Sequence, residues 1–238
     1  MLNYIKAEFY RIFWKKGMYI YFGSLIILML LGVYLGASNI TLSGIKNATI
    51  VSFTLFGTAA SAYLLSVVYG DDFAAKTLAN VVGFGVDRRV IVITKFLLNV
   101  IMTMLSFFIT ASIFCLMLII IGLQLDVERV KDIFWVVTIV VLRGIAISTI
   151  ASVIAYAFQR GAIAIVVFIM ISVGFFTQII AFVLDKLNLS DLSKYSIDAI
   201  LGQITMTVNV ETVLPYVVYV TVFTILAMIV FQQKDLDF

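Results

Sequence analysis

Apolar stretches of bilayer-spanning length recur six times along the chain, with short polar segments between them. A hydrocarbon core about 30 Å thick takes roughly 20 apolar residues of helix to cross. The pattern predicts such helices at about Met18–Ala37, Ile50–Gly70, Val90–Gly122, Ile133–Ala157, Ala162–Leu184 and Val213–Phe231. They fill most of the 238 residues, so the expectation is a single all-α transmembrane domain over 1–238 with no soluble domain beside it. The third stretch exceeds the required length, which implies a tilt or an extension out of the bilayer.

The polar segments carry their own patterns. In residues 3–16, Tyr4, Ile5, Phe9, Ile12 and Phe13 recur at helical spacing while Lys6, Glu8 and Lys15 take the other side. That suits an amphipathic helix lying in the headgroup layer, the alternative being a plain extension of the first span. Between the second and third spans, Phe73, Thr77, Leu78, Val81 and Val82 share a helical face. Asp71 and Asp72 sit where a helix N-terminus favours negative charge, and Gly83 and Gly85 end the helix before Arg88 and Arg89. This is a natural docking element. Gly32 and Gly36, and the run from Gly57 to Ala62, would let helices approach closely. Asp185 to Thr212 reads as one or two short amphipathic helices resting on the outer leaflet. Pro215 falls near the start of the last span, where a helix tolerates it.

Composition agrees with the pattern: 63% of residues are hydrophobic and the mean hydropathy is +1.18, against about 45–50% apolar in soluble domains. There is no histidine, which removes imidazole bases and His-ligated zinc or haem. Cys115, the only cysteine, lies inside a span, so no intrachain disulfide can form and a buried structural thiol is expected. The opening residues are not expected to be a cleavable signal, because a full-length span follows them. Net charge is only +3, but its distribution matters. With the N-terminus inside, the inner segments hold ten basic residues, Lys16, Arg88 and Arg160 among them, and the outer segments five. Both termini are therefore expected in the cytoplasm of a multi-pass cell-membrane protein. Arg143 is the one charged side chain deep in a predicted span. It costs about 2.5–3.5 kcal/mol at a helix centre, so it should face the bundle, a wet cavity or a backbone carbonyl, or else snorkel outward. The chain has no phosphate-binding G-x-x-x-x-G-K-[ST] loop, no metal-spaced ligand cluster and no carboxylate deep in a span.

Three places carry a family resemblance. Lys6-Ala7-Glu8-Phe9-Tyr10-Arg11 is an acidic-aromatic-basic lead-in. Asp72 (or Asp71), Thr77, Leu78, Gly85, Arg88 and Lys95 follow in order around the second polar segment, with Lys76 where a glycine would be usual. Phe231 to Leu236 closes the chain with Lys234-Asp235-Leu236. In these places and in its six spans, the chain resembles the type-2 permease family of ATP-binding cassette (ABC) exporters. The resemblance implies an elbow helix holding Glu8, Phe9 and Arg11, and a cytoplasmic coupling helix between spans two and three. It implies an ATPase-docking set of Asp71, Asp72, Phe73, Lys76, Thr77, Leu78, Gly85, Arg88 and Lys95. It further implies no catalysis and no cofactor in this chain, ATP and Mg being bound by separate ATPase subunits. A second permease, identical or sister, would complete the pathway among membrane lipids, with no nucleic acid partner. The cargo of such small members includes antimicrobial peptides, lipid-like molecules and ions. A different class of protein, a non-transporting scaffold or sensor subunit, shares the bare six-span pattern.

Overall fold

The computed structural model describes residues 2–36, 53–54, 57–74, 77–120, 126–187 and 189–234. Lys46, Lys76, the loop 38–49 and the closing Asp235-Leu236 fall outside the described residues. Every regular element described is helical, and none is a strand.

Helix α1 (Leu2–Phe13) buries Ile12, as its periodicity predicts, but it also buries Glu8, expected on the polar side, and leaves Phe13, expected on the apolar side, exposed. The chain breaks at Trp14–Lys15 and resumes as α2 (Lys16–Gly36). Exposed Tyr10 and Trp14 pack ring against ring at 5.7 Å, an aromatic pair suited to the headgroup layer. Tyr21 of α2 stacks on Tyr63, 4.9 Å between centroids, joining α2 to the next helix. That helix, α3, runs from residue 57 through a π-helical turn, Ser66–Gly70, into Asp71–Ala74. Its small residues admit close neighbours: a Cβ on Gly57 would lie 2.8 Å from Phe107 and 2.9 Å from Val140. A short helix, α4 (Thr77–Gly83), leads to a turn and then to α5 (Arg88–Ile120). The Asp87 carboxylate accepts from the Arg89 N–H at 2.9 Å and so starts α5 two residues before the predicted span.

Helices α5 and α6 (Val127–Phe158) form the centre of the bundle with α10 (Val210–Gln233). Helix α6 begins six residues before the predicted span, which puts Arg143 near its middle. The predicted fifth span is divided. Helix α7 (Gly161–Ser172) ends at Val173–Gly174, and α8 (Phe175–Lys186) leaves at a bend of 62°. Gly174 has φ +83°, a backbone conformation that a side chain disfavours, and this is where the helix turns. Each half has 12 residues, about 18 Å, short of a full crossing.

A 3₁₀ turn, Ser190–Tyr195, and α9 (Ile197–Met206) follow. The expected surface-resting helix is corrected here. Ile197, Ile200, Leu201 and Ile204 of α9 pack against Ala146 and Tyr216, with Ile139 and Leu142 beside them, so its apolar face is taken by protein rather than lipid. Helix α10 opens with an Asn209–Thr212 capping box, and Pro215 sits early enough for the helix to continue. Among the described residues, α5, α6 and α10 are each long and apolar enough to cross a membrane, and the bent α7–α8 pair makes a fourth if taken as one span. The chain is a helical, membrane-embedded protein. The predicted second span, 50–70, includes positions outside the described residues.

Candidate functional site

One end of the bundle gathers charge. On α1, Glu8 and Arg11 stand one turn apart, and Arg11 Nη2 donates to Glu8 Oε2 at 2.8 Å. The π-helical turn of α3 delivers Asp72, 3% exposed, to the same place. Helix α5 supplies Lys95, 1% exposed, whose Nζ reaches Glu8 Oε2 at 2.5 Å and also pairs with Asp72. Arg11 Nη1 lies 3.0 Å from Asp72 Oδ1, and Thr77 Oγ1 of α4 donates to that oxygen at 2.9 Å. Lys15 and Asp71 pair at the rim. Three cations face three carboxylates, so the junction is balanced. Among the described residues no three His, Cys, Asp or Glu side chains gather as a metal site.

The electrostatics follow from this crowding. Burial, then Glu8 and Asp72, push the Tyr4 phenol above its usual range. Burial works against the charge on Arg11, but Asp72 and Glu8 outweigh it and raise the guanidinium pKa. Tyr156 of α6 is fully buried beside this network and touches Tyr69, Phe73 and Phe231, the last at 4.7 Å between centroids. Arg88 closes the other side. Its Nη1 donates to the carbonyls of Phe231 (3.0 Å), Gln232 (3.2 Å) and Lys234 (2.5 Å), and its guanidinium lies over the Phe231 ring. A cation on the last carbonyls of α10 is favoured by both hydrogen bonding and the helix dipole.

The structure thus brings together Glu8, Arg11, Asp72, Thr77 and Lys95, with Asp71 at the edge. Phe73 and Leu78 turn inward, Leu78 at 4% exposed, and Phe9 packs on the core beside Phe13. Arg88 serves the last helix. Lys76 lies outside the described residues. What the segment offers to the surroundings is a turn: Phe84, 90% exposed, between Gly83 and Gly85, with exposed Asp87 and Arg89 behind it. The sequence reading passed over Phe84. Its signal was an aromatic residue set between two glycines, with no helical face on which to bury it.

Arg143 stands apart, in the other half of the bundle. Its Nε donates to Asp198 Oδ1 at 3.0 Å and its Nη2 to the Ser172 carbonyl at 3.1 Å. That carbonyl belongs to the last residue of α7, at the break between α7 and α8. Asp198 occupies the first turn of α9, behind the Ser196 cap, and also receives Thr177.

No known protein-family model matches the chain, and no curated protein matches it.

Proposed function

We propose that this chain is the membrane subunit of an ABC exporter, a six-span permease that pairs with a second permease and is driven by separate ATPase subunits. The observation that carries the reading is mechanical. The exposed Gly83–Phe84–Gly85 turn is joined through α4 to Thr77 and Asp72, and from there by ion pairs to α1 and α5. Arg88, three residues past the turn, holds the end of α10. A push on the Phe84 turn therefore reaches four helices at once, through charge pairs that are costly to break. A partner ATPase would seat on Phe84, and this end of the bundle would face the cytoplasm. The chain itself would bind no nucleotide.

The test uses the full chain, affinity-tagged in its native host. ATP hydrolysis should co-purify with the wild-type chain and fall to background with Phe84→Asp, while the yield and unfolding midpoint of the purified chain stay unchanged. Hydrolysis that never accompanies the wild type would favour a scaffold or sensor subunit. Hydrolysis that survives Phe84→Asp would remove the turn from the contact.

A further inference from the structure

Beside Arg143 lies a partly open cavity of about 120 Å³ between α3, α6 and α7. The polar residues Thr54, Thr58, Ser61 and Ser172 line it, together with the apolar Ile139, Ile147 and Phe168. Among the described residues Arg143 is the one ionised residue that lines it, and Asp198 does not. The space suits a handful of waters, at about 30 Å³ each, or one small headgroup. It is well below the roughly 300 Å³ that encloses a whole drug-sized ligand. At its edge α6 packs tightly on α3, for a Cβ on Gly144 would come within 2.8 Å of Ser61 Oγ.

The pairing of Arg143 leaves donors for a further acceptor. The two bonds to Asp198 and Ser172 use two of the five N–H groups of a guanidinium. The Arg143 side chain is 23% exposed and that of Asp198 38%, so the protein does not seal either end of their ion pair. An incoming anion that displaced Asp198 would take over its charge, so Arg143 would keep the partner that its place in the span demands. An apolar tail on that anion would find Ile139, Ile147 and Phe168 at the cavity wall.

We infer that this cavity is a binding site for the anionic headgroup of an amphiphile, a phosphate or carboxylate on an apolar chain, with Arg143 as its receptor and Asp198 as the resting counter-ion. The site holds its ligand whether or not an ATPase drives the subunit. The Asp198 role separates a binding site from a structural latch: a latch is weakened by loss of the carboxylate, whereas a site so occupied is freed by it.

The experiment follows the unfolding midpoint of the full chain in neutral maltoside micelles during titration with octyl phosphate, octanoate, octanol or inorganic phosphate. Octyl phosphate, octanoate or both should raise the midpoint saturably, while octanol and inorganic phosphate should not. A response to the phosphate alone assigns a lipid-type headgroup, and a response to the carboxylate alone an acyl or peptide terminus. Arg143→Gln should weaken the response about tenfold or more, as loss of a charge-assisted bond requires. Thr58→Leu, on the cavity wall, should weaken it by filling the space, and Asp198→Asn should strengthen it several-fold. Equal shifts from octanol, an unaltered response in Arg143→Gln, or an Asp198→Asn chain that binds no more tightly would each overturn the assignment. Should Arg143→Gln fail to fold, Thr58→Leu and Asp198→Asn decide the matter.

Discussion

Lys95 is the residue on which the charged junction turns. It is 1% exposed and joins two carboxylates from different helices, Glu8 and Asp72. Lys95→Met would leave both to Arg11 alone, and removing one partner of a buried pair costs about 3–5 kcal/mol. Unfolding of the purified chain in micelles should show that loss. Adding Asp72→Asn to Lys95→Met should recover part of it, because fewer uncompensated charges remain. A Lys95→Met chain within about 0.5 kcal/mol of wild type would mean that the pairs are incidental. Some of this was legible residue by residue. A lone arginine in an apolar stretch demands a partner, and Arg143 has found a carbonyl and a carboxylate. Its identity was not legible, because Asp198 lies 55 residues away on an element whose position depends on the break at Gly174. Lys95 read as a residue opening a span. Its burial follows from α1 folding back to deliver Glu8, which no local pattern encodes.

At the scale of elements, hydropathy counts residues but not direction. Residues 162–184 are apolar almost throughout, so they read as one span, yet the helix bends by 62° after Ser172. The alternation that marked α9 as amphipathic was correct, but an apolar face can be covered by lipid or by protein, and only packing decides which. Close approach is the other hidden quantity. A Cβ on Gly161 would lie 2.2 Å from the Gly70 Cα, backbone against backbone, where α7 begins against the π-helical turn of α3. Gly161→Ala must push these two elements apart, and overpacking of this kind costs about 1–3 kcal/mol. Gly23, in α2, would place its Cβ with nothing within 4 Å. Gly23→Ala should therefore stabilise the chain by about 0.5–1 kcal/mol through helix propensity alone. Opposite signs for one chemical change, read from unfolding midpoints in micelles, would separate packing from propensity; equal signs would contradict the close contact at Gly161.

For the whole molecule, the contacts fix which ends of the helices lie together, and this bears on the path through the membrane. The Arg88 bonds to Phe231, Gln232 and Lys234 put the end of α10 beside the start of α5. Helix α10 has 24 residues, about 36 Å, enough to cross a 30 Å core once. Its start, and Met206 just before it, must then lie on the face opposite Phe84. From Phe84 the chain crosses by α5, returns by α6 and has only the bent α7–α8 pair and α9 with which to reach that opposite face. The expected outcome is that the bent pair, with α9 after it, carries the chain across and does not loop back to the side it left. Impermeant-thiol labelling checks this on a Cys115→Ser background, since Cys115 is the only native cysteine. Met206 and Phe84 are 86% and 90% exposed, so a cysteine placed at either can react. In intact cells Met206→Cys should label from outside and Phe84→Cys only after the membrane is opened. Labelling of both from one side would mean that α7 and α8 turn back, and that the Arg88 contacts do not hold in the bilayer.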